Sequence, residues 1–116
     1  MNYELKNIFD TSTLPDVESE LFDTIIEQGE LKKNGGLKLE RILSFGAVTP
    51  DGEWYDQPWN EWVMVALGQA ALQFEEGQEI TFRSGDYLFI PAHVRHRVTY
   101  TSPDCVWLAL HLSEEK

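Results

Sequence analysis

The sequence predicts an all-β protein, either an antiparallel sandwich or a barrel. Its 116 residues contain about eight short segments rich in strand-forming residues. Turn signals built from Gly, Pro, Asn and Asp separate these segments at intervals of roughly eight to twelve residues. No segment shows a convincing helical period over a helical length. The chain length suits one domain with a single hydrophobic core.

The amino-terminal third is expected to form an arm followed by a first strand. Residues 1–20 have no clear period, and Pro15 breaks any helix there. The segment ELFDTIIEQ could be a short helix or a strand, and its β-branched TII triplet favours a strand. The NGG triplet that follows is a strong turn signal. We therefore divide the domain into residues 1–36, an arm and first strand packing on a barrel, and residues 37–116, the barrel itself.

The strand signals become regular after residue 36. The predicted strands are LKLERILSF, EWVMVAL, QAALQF, EITF, YLFIP, HRVTYTS and CVWLALHL. In EWVMVAL the six residues after Glu61 are continuously apolar, as expected of a strand buried on both faces. In CVWLALHL, alternation places Trp107, Ala109 and His111 on one face.

The composition excludes several classes of function. The net charge is −11, and nine Lys and Arg face twenty Asp and Glu, so a nucleic-acid partner, which needs a basic face, is not expected. No apolar stretch has the length of a membrane span, and the amino terminus lacks the apolar region of a signal peptide. A cytoplasmic location is therefore expected. The single cysteine, Cys105, can form no internal disulfide and is expected to be a buried thiol.

The segment GDYLFIPAHVRH resembles the second motif of the cupin superfamily. Gly85, Pro91 and His96 have the spacing of that motif, whereas His93 stands at its second glycine position and Tyr100 at its asparagine position.

The segment YDQPWNEWVMVALG resembles the second half of the first cupin motif. Glu61 and Gly68 match it, but Tyr55 and Gln57 stand where the motif has its two histidines, and Thr49 replaces the leading glycine. The chain is therefore similar to small single-domain bacterial cupins of unassigned activity. The resemblance implies a double-stranded β-helix, or jelly-roll barrel, whose mouth holds a metal ion or a small molecule.

The resemblance also implies a set of candidate site residues. Glu61 and His96 stand at metal-ligand positions, and Gln57 and His93 could join them to hold a single divalent ion of iron, manganese, nickel or zinc. Strand alternation is expected to turn Tyr55, Gln57 and Glu61 to the same side. Tyr55 and His96 are the candidate catalytic residues.

Each candidate also has a purely structural interpretation. His96 could be a hydrogen-bonded interior histidine, His93 an exposed turn residue and Glu61 a rim acid. His111 is expected to be a satisfied polar residue near a strand end rather than a ligand.

Two further groups of side chains could contact a ligand. The aromatic residues Trp54, Tyr55, Trp59 and Trp62 could stack on a ring or simply pack. Arg83, Arg95 and Arg97 could attract a carboxylate or phosphate, or could form a solvated face.

Three functions remain open from the sequence. The chain could be a metal-dependent cupin enzyme of dioxygenase, isomerase or lyase type that uses Glu61 and His96. It could be a metal-independent isomerase in which His96 and Tyr55 transfer protons. It could also be a non-catalytic module that binds or senses a small polar molecule. A homodimer paired through the amino-terminal arm is a further expectation from the resemblance.

Overall fold

The computed structural model describes residues 2–12 and 20–114, which contain eight β-strands and no helix. The predicted all-β class is therefore confirmed. Pro15 and the rest of residues 13–19, where an arm or loop was expected, lie outside the described residues. No described helix is long and apolar enough to cross a membrane. The strands are β1 (Leu21–Gln28), β2 (Leu37–Leu43), β3 (Asn60–Leu67), β4 (Gln69–Phe74), β5 (Glu79–Arg83), β6 (Tyr87–Ile90), β7 (His96–Thr101) and β8 (Val106–Leu112).

The strands form two antiparallel sheets that enclose one core. The larger sheet has the order β1-β2-β8-β3-β6 and the smaller has the order β5-β4-β7. Neighbours that are distant in sequence, such as β2 and β8, give the crossed connections of a jelly roll. Phe82 from the small sheet packs edge-on against Trp107 from the large sheet, with ring centroids 5.4 Å apart.

Strand β3 is buried on one face only, so the expectation that both faces would be covered is wrong. Glu61, Val63 and Val65 are buried, whereas Trp62 and Met64 on the outer face are half-buried. An antiparallel sheet needs a cover on only one face. The outer aromatic residues pack sideways instead, as Trp62 does against Tyr87 at 5.7 Å. This alternation is what turns Glu61 inward.

The amino-terminal arm is pinned to the large sheet by a buried arginine. Arg41 is 6% exposed and forms a 2.8 Å ion pair with Asp23 of β1. Its Nη1 group donates to the backbone carbonyls of Ile8 at 2.9 Å and Asp10 at 2.7 Å. These hydrogen bonds attach the backbone at Ile8 and Asp10 to strand β2 of the large sheet.

Candidate functional site

A cavity of about 120 Å³ opens between the two sheets. One part of its wall is apolar and is formed by core side chains such as Val63, Leu72 and Trp107. The other part is polar. The polar lining residues are Glu20, Glu40, Tyr55, Gln57, Glu61, His96 and His111.

Glu61 and His96 enter this cavity from different sheets. Glu61 lies near the start of β3 in the large sheet and His96 begins β7 in the small sheet. Their exposed fractions are 7% and 5%, and His96 Nε2 is 3.7 Å from Glu61 Oε1. That distance is too long for a direct hydrogen bond between the two side chains.

The ring of His96 has one tautomer available when it is neutral. Its Nδ1 atom is 2.9 Å from the backbone carbonyl oxygen of Val94, and a carbonyl can only accept a hydrogen bond. Nδ1 must therefore carry a proton, which leaves the lone pair of a neutral ring on Nε2. That lone pair faces Glu61 and the cavity.

The ring of His111 is held in the opposite tautomer. The indole Nε1–H of Trp59 donates to His111 Nδ1 at 2.9 Å, and an indole N–H can only donate. His111 Nδ1 must therefore be unprotonated, so the ring proton is on Nε2, which donates to Glu40 Oε1 at 2.9 Å. The second Glu40 oxygen lies 3.6 Å from the ammonium of Lys38. His111 is consequently a fixed neutral donor.

Glu61 has one engaged and one free oxygen. The Gln57 side-chain amide donates to Oε1 at 2.8 Å. Oε2 is 4.0 Å from His111 Nε2, beyond hydrogen-bond range, and has no hydrogen-bond partner among the described residues. This oxygen is not sealed from solvent, so water or a ligand that enters the cavity can bind it.

Tyr55 is positioned by its backbone rather than by a continuous strand. It forms an isolated bridge with His96, through backbone hydrogen bonds of 2.8 and 3.2 Å, and its ring stacks on the imidazole at 5.6 Å. Tyr55, Gln57 and Glu61 do face one cavity, but strand alternation is the wrong reason, because the chain bends at residues 58–59 before β3 begins. Burial, followed by the nearby carboxylates of Glu20 and Glu61, raises the pKa of the Tyr55 phenol. The phenol is therefore a hydrogen-bond donor at neutral pH.

Glu20 adds a carboxylate from the segment just before β1. It accepts a hydrogen bond of 3.2 Å from the Ser44 hydroxyl. Burial raises the pKa of Glu20, partly offset by the Ser44 hydrogen bond, and the Glu40 carboxylate adds to the increase. The ionised form of Glu20 is therefore disfavoured by its surroundings.

His93 lies outside the cavity. Its side chain is 69% exposed, and Nδ1 is 3.0 Å from Asp56 Oδ1. Its backbone φ is 65°, a left-handed conformation that glycine adopts most easily. This explains why the related motif has glycine there, and it directs the side chain toward Asp56.

The tryptophan and arginine side chains that were candidate ligand contacts lie in different parts of the structure. Trp59 contacts the site through His111, whereas Trp62 lies on the outer face of β3. Arg95 and Arg97 lie over the ring of Trp54, at 5.8 and 5.9 Å from its centroid. None of the arginines contributes to the described cavity lining.

The donor set, as arranged, does not fit a resident metal ion. No group of three or more His, Cys, Asp or Glu side chains within residues 2–12 and 20–114 converges as a metal site. Glu61 and His96 offer free donor atoms, but the His111 Nε2 position carries a proton bound to Glu40. Catalytic zinc usually has three protein ligands, and non-haem iron two histidines and a carboxylate. His93, the fourth predicted ligand, is directed elsewhere.

Sequence reasoning missed Glu20 and Glu40 and gave His111 a minor role. Glu40 is an acid in the middle of a predicted strand, which is a usable signal, because such a residue must be solvated or paired. Its partner could not be identified, since the contact depends on the register in which Lys38 lies opposite His111 and Glu40 opposite Ala109.

Fold and cavity together define a small cupin. The family model described as "Cupin domain" matches residues 44–111, so the chain belongs to the cupin family. A search of curated proteins finds no match.

Solved structures show the same fold. A Ralstonia eutropha JMP134 protein described as a candidate mannose-6-phosphate isomerase is 40% identical, with 96% of this chain and 99% of that chain covered and a TM-score of 0.82. KdgF from Halomonas sp. is 19% identical, with 87% of each chain covered and a TM-score of 0.67. An RmlC-like cupin from Desulfovibrio desulfuricans is 15% identical, with 94% and 97% covered and a TM-score of 0.67. The last two similarities establish the fold alone.

Proposed function

We propose that the chain is a small-molecule enzyme of isomerase type that transfers a proton by means of its own side chains. The observation that carries the proposal is the fixed orientation of His96, whose Nδ1–H is bound to the Val94 carbonyl. This leaves Nε2 as a base directed into a partly apolar cavity. Imidazole in such a position is a common general base.

The surrounding groups suit proton transfer next to a carbonyl group. His96 Nε2 takes a proton from the carbon beside the carbonyl, and the electron pair of that C–H bond moves to form an enolate. The Tyr55 hydroxyl donates a hydrogen bond to the enolate oxygen, and Glu61, 3.7 Å from the ring, stabilises the imidazolium that forms. In a hydroxycarbonyl substrate the carbon that loses its proton also bears a hydroxyl group, so the intermediate is an enediolate. The hydroxyl proton passes to the former carbonyl oxygen, and His96 returns its proton to the former carbonyl carbon, so the carbonyl group moves to the neighbouring carbon and the isomerisation is complete. The name of the 40% identical Ralstonia relative belongs to the same reaction class.

Proton exchange with solvent tests this proposal. Small hydroxycarbonyl compounds are incubated with the protein in D₂O, and loss of the signal of the C–H next to the carbonyl is followed by NMR. His96→Asn is expected to lower the exchange rate by about a hundredfold or more, in the usual range for loss of a general base. His93→Asn is the matched control, because His93 lies outside the cavity and asparagine tolerates its positive φ. Equal rates in the two variants would contradict the role of His96.

The family positions of Glu61 and His96 favour a second candidate, a cupin enzyme with one bound iron, manganese, nickel or zinc ion. Metal content is measured in protein that has been grown with these metals and purified without a nickel column. One equivalent of metal per chain, lost in both Glu61→Ala and His96→Ala, would favour the metal-dependent enzyme. Substoichiometric metal in protein that still catalyses the exchange would favour side-chain catalysis.

The expected homodimer stays a prediction. Tyr3 and Leu5 of the arm are 90% and 98% exposed, and pairing of two arms would cover them. A molar mass of a single chain, measured by light scattering, would contradict the homodimer.

A further inference from the structure

We infer that the cavity accepts the cationic end of a small amine or amidine and excludes phosphorylated sugars. This inference deepens the proposed function, on which it rests for the location of the site. Three carboxylates line the cavity, those of Glu20, Glu40 and Glu61, and no lysine or arginine among the described residues does so. A ligand that brings positive charge and hydrogen-bond donors is therefore complementary to the wall.

The three carboxylates differ in how far their charge is balanced. Glu40 is paired with Lys38 at 3.6 Å and accepts the His111 N–H. Glu20 and Glu61 have no lysine or arginine partner among the described residues. Glu61 is only 7% exposed. A bound cation would supply the counter-charge that buried Glu61 and half-buried Glu20 lack.

The unpaired atoms that reach the cavity are mainly acceptors. Oε2 of Glu61 has no hydrogen-bond partner among the described residues, and the lone pair on neutral His96 Nε2 is also free. The Nε2–H of His111 is already bound to Glu40, and the Tyr55 hydroxyl has a hydrogen-bonding neighbour in Thr49, so few donors are left for a ligand. An ammonium or amidinium group offers two or more N–H donors and no acceptor, and so matches this pattern.

A phosphate group would fit this cavity poorly, because it is negatively charged and accepts hydrogen bonds. Its negative charge would lie beside the buried Glu61 carboxylate, and like charges repel each other more strongly in a poorly solvated site than in water. The cavity, of about 120 Å³, is also small beside the roughly 300–1,000 Å³ of typical ligand sites. It holds a head group of a few heavy atoms rather than a whole phosphorylated sugar.

Binding is tested directly, without turnover, by NMR titration of the full chain. The probes are ethylamine and acetamidine as cations, acetate, inorganic phosphate and mannose 6-phosphate as anions, and glycerol as a neutral compound. The two cations are expected to shift the His96 and Tyr55 ring signals at lower concentrations than any other probe. Preferential binding of phosphate or mannose 6-phosphate would overturn the inference, as would failure of both cations to bind.

Substitution of one cavity carboxylate identifies the group responsible. Glu61→Gln is expected to weaken cation binding by at least about tenfold, because it removes a charge-assisted hydrogen bond. Glu20→Gln should also weaken cation binding, and it provides the test if Glu61→Gln does not fold. The matched control is Glu76→Gln in the exposed β4–β5 turn, which makes the same change in net charge. Equal weakening in the cavity variants and Glu76→Gln would mean that net charge alone acts, and would refute a specific site.

Failure of this inference is distinguishable from failure of the proposed function. Cation binding without any C–H exchange would support the inference and contradict the enzyme. Exchange that occurs only with phosphorylated compounds would support the enzyme and overturn the inference.

Discussion

Replacement of Trp59 by phenylalanine tests the tautomer assignment on which the description of the site depends. The substitution removes the indole N–H that donates to His111 Nδ1 at 2.9 Å and keeps an aromatic ring at the position. His111 is only 7% exposed, so its Nδ1 acceptor is left without a partner in a poorly solvated place. Loss of one partner of a buried hydrogen bond costs about 1–3 kcal/mol. We therefore expect the free energy of unfolding to fall by that amount beyond the effect of the smaller ring.

Trp62→Phe supplies the reference for the smaller ring. Trp62 lies three residues further along, is also half-buried and makes no side-chain hydrogen bond to the described residues. Urea unfolding of both variants gives the difference in stability. The ¹⁵N shifts of the His111 ring, which distinguish a bare from a protonated Nδ1, give the tautomer. Equal stability losses, with a protonated Nδ1 in the unsubstituted protein, would refute the tautomer assignment.

Three other predictions follow from the surroundings of single residues. Burial raises the pKa of the Glu20 carboxyl in the folded protein. As the pH rises above the unfolded-state pKa of about 4.5, ionisation of Glu20 therefore lowers the free energy of unfolding. Glu20→Gln should therefore raise the free energy of unfolding more at pH 8 than at pH 4, and the reverse order would contradict the sign. Gly68→Ala should cost about 2–4 kcal/mol, because φ is +87° and the new Cβ would lie 2.8 Å from Asp104 Oδ1. Gly52→Ala, with a similar φ but open space around it, should cost only about 1–2 kcal/mol, and equal losses in thermal or urea unfolding would contradict the steric argument. Burial raises the pKa of the Cys105 thiol to about 12, so alkylation at pH 8 should occur only after unfolding, and fast labelling of the native protein would contradict its burial.

Local sequence signals predicted the strands well but overestimated the burial of β3. Its apolar run EWVMVAL does not show which of its faces meets the core. Trp62 and Met64 are covered only in part, because packing against neighbours in the same sheet is sufficient for them. The sequence of β3 alone does not show which of its faces is covered, because that depends on how the two sheets pack against each other.

Motif spacing related Glu61 to His96, and the structure brings the two into one cavity. The same resemblance grouped His93 with them. The positive φ of His93 and the position of Asp56 direct that side chain to solvent instead. A residue that replaces a glycine can keep the backbone conformation of the motif. Because glycine has no side chain, however, the motif does not predict where the new side chain points.

The amino-acid sequence by itself determined the all-β class, the number of strands, the turns and four residues of the cavity lining, because these depend on local propensity, strand period and motif spacing. Tertiary structure alone decided that Glu20, Glu40 and His111 join the cavity and that each of its histidine rings adopts one neutral tautomer. The physical reason is that these properties arise from contacts between distant segments. The Trp59 N–H meets His111 only because β3 and β8 pair in one register, and a change of register by one residue would turn these side chains to the other face.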